Sequence, residues 1–471
     1  MVYFILGLLS LFISLSCNSF TNVVKGIDSS VFQYVAMEIG NGAMPYLDTF
    51  DHKGLLIYFI DLFGNSLSDN FGIWLIEFLT FFLSFVLMYK TARYFCDKLV
   101  SVLAVSLTLP MLTQFLEGGN FVEEYAILFI SGAVLIFTEY FINHEIKWYK
   151  IVLCGVCFAC IILLRPNMIG IWLAGCLLIL IDCIRNKEIF NLFKYILFFI
   201  LGISVCLVPC IIWLWINGAL KACIDTYILF NIEYSGALNS FGEYFKTLYD
   251  NVFQYSIFFV SAASIYIVYK RRDMVSLFGL LGFMLSLIMA VKSRVIYAHY
   301  LLILIPAAIV PVSFLFSEIE KRFDADRFLS VALIVSIVLA FLRPTIKIVK
   351  EDLIAVSGFR NYVSDRIEKD HITQRIIELT DEGDEISCYG NCNKYYLTSN
   401  RMSVSKYSYQ YPIAEIDSMI RKEYFSELKE NKPKLIVWCD FEENDNCYRD
   451  EMYRFVIENG YIQEGNIFYL K

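Results

Sequence analysis

Asp48, Asp51, His52 and Lys53 place four ionisable groups within six residues, and a further carboxylate, Asp28, precedes them. All five follow the first apolar run of an oily chain, where charge is costly unless it serves a purpose. A carboxylate at Asp28 could take the proton of a hydroxyl as that hydroxyl attacks an electrophilic carbon. The pair Asp28-Ser29, standing before an amphipathic run, also suits helix capping, and spacing alone does not choose between the two. Lys53 precedes the apolar run Gly54-Leu55-Leu56-Ile57-Tyr58-Phe59-Ile60. At headgroup depth its ammonium could hold a phosphate as a compact point charge, assisted by the amides of a helix N-terminus. Snorkelling to an interface would use the same lysine. Asp51 is a candidate for positioning an acceptor or a metal, and Asp48 and His52 complete this group of candidate pocket residues.

Other loops add to the set. The segment Glu117-Gly118-Gly119-Asn120-Phe121-Val122-Glu123-Glu124-Tyr125 brings two adjacent acids to the mouth of an apolar run. Glu123 and Glu124 could position an acceptor hydroxyl or a divalent ion such as Mg2+ or Mn2+, and acids in a first helical turn also offset the helix dipole. Arg165, in Arg165-Pro166-Asn167, and Arg294, Tyr297 and His299, in Lys292 to Tyr300, punctuate later apolar runs. Together with Lys53 these cations suit an anionic ligand, while each taken singly also suits interfacial anchoring.

The elements that must hold these residues are membrane helices. Of 471 residues, 58% are hydrophobic and 18% charged, with a mean hydropathy of +0.58. Apolar runs long enough to cross hydrocarbon recur up to about position 342. We read eleven spans, near 3–20, 71–89, 99–115, 125–142, 150–164, 167–184, 195–216, 253–269, 274–291, 300–316 and 328–342. The first is read as a retained helix, because it lacks the basic start and small-residue cleavage site of a leader. With the N-terminus in the cytoplasm, the inner loops hold fourteen Lys and Arg against seven outside, which favours that orientation and an outer C-terminus. The outer loops 21–70 and 217–252 read as carrying amphipathic interfacial helices, 29–40 among them.

Residues 1–345 thus form a transmembrane domain, and 346–471 a soluble outer one. In the latter, strands at 385–389, 434–439 and 467–470 alternate with helices at 363–380, 414–430 and 450–459, an α/β pattern. Most of the fourteen cysteines sit in apolar runs as small hydrophobes. Cys388, Cys392, Cys439 and Cys447 lie in the polar tail, where spacing leaves their pairing open. The net charge of −8 carries no basic footprint for nucleic acid. There is no P-loop, no GxGxxG after a strand and no HExxH, which disfavours nucleotide-driven chemistry.

An early Asp after the first span, the Tyr-x-Asp-x-Phe-Asp-x-Lys-Gly segment, the Gly-Gly-Asn-x-x-Glu-Glu loop and the late Tyr-x-His-Tyr resemble polytopic GT-C glycosyltransferases. The chain looks like bacterial glycosyltransferase family 39, the relatives of protein mannosyltransferases and of lipid A aminoarabinose transferase. The resemblance implies a GT-C-like helical domain that moves a sugar from a polyprenyl-phosphate donor to an extracytoplasmic hydroxyl of a glycan, lipid or protein, with inversion. It implies Asp28 as the catalytic carboxylate and Lys53 as the contact to the lipid phosphate; beside it, Arg165 or Arg294 is expected to help hold that phosphate. Two departures bear on the acceptor. Protein mannosyltransferases have Asp-Glu where this chain has Asp28-Ser29, and the lipid A enzymes carry an acid where it has His52. A transporter or flippase of a lipid-linked or anionic solute is the competing reading. Such proteins place polar groups at mid-span and often repeat internally, whereas here the polar residues gather near span ends.

Overall fold

The computed structural model describes residues 1–17, 26–116, 119–235, 246, 249, 257–292, 297–324, 326–341, 370–439 and 449–471. Arg294 and Cys447 lie outside them. The chain divides into two compact units. One comprises Met1–Asn18, Trp74–Trp213 and Ser235–Ile354; the other Ser19–Ile73, Leu214–Tyr234 and Ala355–Lys471.

The first unit is helical. Its described apolar runs form rods that include Val122–Asn143, Trp148–Leu164, Gly170–Arg185, Ile257–Arg271 and Met274–Ala290. Four helices among the described residues are long and apolar enough to cross a membrane: Phe71–Ala92, Val122–Asn143, Ile189–Ile216 and Ala298–Arg322. They occupy opposite environments. The apolar stretch of Ala298–Arg322 is 94% buried and forms interior, whereas that of Ile189–Ile216 is only 6% buried. Phe190, Leu197 and Val205 project outward from it, a surface matched to hydrocarbon rather than water. The chain is accordingly an integral membrane protein. The run 99–115 is broken at Leu107 into helices Lys98–Ser106 and Thr108–Phe115, and Asp97 caps the first by accepting the Leu99 and Val100 amides at 2.9 and 3.0 Å.

In lipid, helices gain little by hiding apolar side chains from one another and associate instead where small residues let backbones meet. Gly155 and Gly202 do this between Trp148–Leu164 and Ile189–Ile216, each lying against the other helix's backbone. Gly170 does the same for Gly170–Arg185 on Met274–Ala290, where a β-carbon would fall 2.5 Å from the Ser286 nitrogen.

The second unit is built on a five-stranded sheet: β1 (Glu385–Tyr389), β2 (Met402–Ser403), β3 (Leu435–Trp438), β4 (Ile462–Glu464) and β5 (Ile467–Tyr469), in the order β2-β1-β3-β5-β4. The first three are parallel, and β5 and β4 complete the sheet antiparallel. Ile386 and Cys388 on β1 pair with Leu435 and Val437 on β3, and these four side chains are buried. A disulfide joins Cys392 to Cys439, just beyond the ends of β1 and β3, whereas Cys388 is a buried free thiol.

Helix Ile27–Gly40 does not lie on a surface as an interfacial amphipathic helix would. Residues Ser29 to Ala36 are all buried. Tyr34 enters the sheet's apolar core, its ring 4.6 Å from that of Tyr396, and its hydroxyl accepts the Ser403 amide at 2.8 Å. The polar residues Ser29 and Gln33, which give the helix its amphipathic look, bond to each other at 2.9 Å.

The backbone contact at Gly170 leads to one expectation. Gly170→Val forces a side chain into the Ser286 backbone and destabilises the protein by about 1–3 kcal/mol. Thermal unfolding of the detergent-solubilised variant reads this, and an unchanged melting temperature would refute the contact.

Candidate functional site

Candidate side chains gather in two places, one in each unit. In the second unit the centre is Asp51, 2% exposed. A buried carboxylate needs donors, and three reach it. The His52 amide donates to Oδ1 at 2.7 Å, the Tyr409 hydroxyl to the same oxygen at 2.9 Å, and the Tyr58 hydroxyl to Oδ2 at 2.8 Å. Burial pushes the Asp51 carboxyl above its usual range, opposed by the charge of Lys53 and by these donors. The Tyr409 hydroxyl also lies 3.2 Å from His52 Nδ1, and His52 Nε2 lies 3.1 Å from Lys53 Nζ. A continuous chain of polar contacts therefore runs from Asp51 through Tyr409 and His52 to Lys53. The Lys53 ammonium also stands 5.7 Å above the Phe32 ring.

The surrounding loop is pinned so that these groups meet. Tyr46 adopts the left-handed region (φ 69°), its amide bonded to the Thr49 carbonyl at 2.9 Å. Its hydroxyl donates to the Lys53 carbonyl at 2.8 Å. Asp48 faces away from the cluster's chemistry: its carboxylate accepts the Met44 amide at 2.7 Å and closes the turn. Asn231 holds the His52 carbonyl at 2.6 Å, and the rings of Tyr234 and Phe230 lie 4.8 and 5.6 Å from the imidazole. The tail segment that carries Tyr409 is tied in by the Phe50 amide, which donates to the Lys406 carbonyl at 2.8 Å.

Asp28 lies in the first turn of Ile27–Gly40. Gly26, with φ 65°, is the N-cap, and no side chain caps this helix end. The capping alternative for Asp28 is thereby removed. Its charge instead reaches Tyr409, whose phenol is held well above its usual range by burial first, then by Asp51, with lesser contributions from Tyr234 and Asp28.

In the first unit, Glu123 and Glu124 are buried at the start of Val122–Asn143. The Arg165 guanidinium donates to Glu123 Oε1 at 2.7 Å and stacks 4.0 Å from the Tyr300 ring. Gly119 and Asn120 both take positive φ, 96° and 60°, and that turn aims the Asn120 amide at two acids: Glu77 Oε1 at 2.6 Å and Glu124 Oε2 at 3.2 Å. The Tyr125 hydroxyl completes the turn by donating to Asn120 Oδ1 at 2.7 Å. His299 stacks on Phe121 at 4.2 Å, with Tyr297 stacked beyond it at 5.5 Å.

The structure thus joins Asp51, His52 and Lys53 in one cluster, with Asp28 in its electrostatic neighbourhood, and joins Glu123, Glu124 and Arg165 in another. Sequence reading missed Glu77, Tyr58, Tyr300, Tyr409 and Asn231. An acid inside an apolar span was a sufficient signal for Glu77. The tyrosines carry no such signal, since aromatic residues recur throughout the chain.

Among solved structures, ArnT from Cupriavidus metallidurans bound to undecaprenyl phosphate aligns over 99% of this chain and 96% of its own, with 12% identity and a TM-score of 0.60. The oligosaccharyltransferase AglB from Archaeoglobus fulgidus, in complex with an inhibitory peptide and a dolichol-phosphate, aligns over 96% of this chain and 70% of its own, with 13% identity and a TM-score of 0.54. At these identities the likeness is one of fold alone. No curated protein sequence matches the chain. A family profile does match, over residues 1–345, and by it the chain belongs to the family described as competence-induced protein Ccs4 N-terminal domain.

Proposed function

We propose that this protein is a glycosyltransferase of the family 39 kind, which moves a sugar from a polyprenyl-phosphate donor to a hydroxyl of a cell-surface glycan, lipid or protein. The acceptor oxygen attacks the anomeric carbon as its proton passes to the Asp28 carboxylate. The bond from that carbon to the phosphate oxygen breaks with inversion, and the lipid phosphate leaves carrying the electron pair. A phosphate leaving group needs charge stabilisation more than a proton, and Lys53 supplies it where water is partly excluded. Arg294 is assigned a supporting role toward the same phosphate. Glu123, held by Arg165, has its second oxygen buried and without a hydrogen bond among the described residues, and it is assigned to acceptor positioning with Glu124. Eleven spans, a cytoplasmic N-terminus and an outer C-terminal α/β domain would set this chemistry on the outer side of the membrane.

The observation that carries this reading is the cluster around Lys53: a cation in polar contact with a histidine rather than a carboxylate, in the same packed unit as Asp28. An anionic ligand fits such a cation. The fold shared with ArnT and AglB supports a transferase over a transporter. As to Mg2+ or Mn2+, no group of three His, Cys, Asp or Glu among the described residues could hold a metal ion, and Glu123 is engaged by Arg165. No step is therefore routed through a metal.

Purified protein given undecaprenyl-phosphate sugars and candidate acceptors should form a glycosidic bond. Asp28→Asn lowers its kcat by about 10²- to 10⁴-fold; undiminished turnover would remove Asp28 from the reaction. Solute movement across proteoliposomes without bond formation would establish transport instead. The buried ion pair makes a separate prediction. Arg165→Met leaves the Glu123 charge uncompensated and destabilises by about 3–5 kcal/mol, and adding Glu123→Leu recovers most of that loss. Melting temperatures of the two variants measure it, and equal destabilisation in both would discount the pair.

A further inference from the structure

The chain of contacts from Asp51 to Lys53 has a direction set by which atoms can donate. A lysine ammonium has three N–H donors and no acceptor. At 3.1 Å from Lys53 Nζ, His52 Nε2 must therefore present its lone pair. The imidazole is then neutral with its proton on Nδ1, because a proton on Nε2 would set two donors against each other. Which ring nitrogen holds the proton is decided by the partner of the other nitrogen. Here Nδ1 meets the Tyr409 hydroxyl at 3.2 Å, and that hydroxyl's own proton is directed to Asp51 Oδ1 at 2.9 Å. The phenol oxygen is thus left to accept from Nδ1–H. Asp51 Oδ1 itself lies 3.6 Å from Nδ1, too far to take over that bond.

We infer that Tyr409 is a positioning residue that accepts the Nδ1–H of His52, holds the ring in place and, through it, aims the Lys53 ammonium at the donor's phosphate. This rests on the phosphate-binding role proposed above for Lys53. Lysine is a point charge on a flexible stem, without the built-in fork of arginine, and one N–H anchored on a fixed lone pair orients the remaining two. The imidazole cannot swing to another arrangement. Its backbone carbonyl is held by Asn231, and Phe230 and Tyr234 flank its ring. The C-terminal segment thereby acquires a role, since Tyr409 completes a polar chain whose other members, Asp51, His52 and Lys53, lie in one early loop.

The test has two independent arms. Protein labelled with 15N-histidine, with the His52 signal identified by its loss in His52→Gln, should show a proton on Nδ1 and none on Nε2. In Tyr409→Phe the Lys53 contact keeps the proton on Nδ1, but the Nδ1 resonance should shift as that N–H loses its acceptor, and an unmoved resonance overturns the inference. A wild-type His52 protonated on Nε2 overturns the inference without any further variant. In the second arm, binding of undecaprenyl phosphate is compared with that of undecaprenol in nanodiscs. Tyr409→Phe should weaken phosphate-dependent binding by about tenfold, the equivalent of one hydrogen bond, and should have no further effect in a Lys53→Ala background. Unchanged affinity in Tyr409→Phe, or an equal loss with Lys53 absent, overturns it. Absence of any preference for the phosphate in wild type refutes the phosphate role itself, while the tautomer measurement still judges the histidine.

Discussion

A carboxylate with almost no access to water governs the second unit. Left alone, the Asp51 charge would be expelled or neutralised. The structure answers with a backbone amide and two phenols that donate to its two oxygens, and with the charge of nearby Lys53. Each donor comes from a different piece of structure: the loop itself, helix Leu55–Leu67, and the stretch between β2 and the cis Tyr411-Pro412 bond. Satisfying one buried group therefore dictates where three segments must end. Lys53 and His52 inherit their geometry from that arrangement.

The first unit answers a different demand. Its helices carry few polar groups, and their mutual approach is set by where glycine allows backbone to touch backbone. Three of its acids, Glu77, Glu123 and Glu124, are buried beside an amide, a phenol and one arginine rather than exposed to an apolar exterior. Rigid helix contacts and a tightly turned Gly119-Asn120 link hold them at fixed distances.

Hydrophobic patterning made much of this architecture legible. The helical runs up to position 342, and strands β1 and β3 as apolar stretches beside turn residues, can be read directly because burial repeats along the chain. The polar cluster at residues 51–53 was legible as crowded charge too, since charge beside lipid is costly. Helix Ile27–Gly40 was visible as a helix but not as a buried one. Its polar residues imitate a solvent face, and only the tertiary partners of Tyr34, Ser29 and Gln33 reveal otherwise. Strands β2 and β4 are too short to carry a pattern. Tyr409 was invisible because its role depends on a contact 358 positions away in sequence, and nothing local distinguishes it from its neighbours Tyr407 and Tyr411.

Tyr34 sits in a hydrophobic core whose other members lie between Ile376 and Ile467. Synthesis runs from the N-terminus, so this tyrosine leaves the ribosome hundreds of residues before the strands that enclose it. Until the last of them emerges, the buried face of its helix must be shielded by something other than its native partners. Assembly of this core is consequently a late event, completed only after the strand that carries Ile467 has been made.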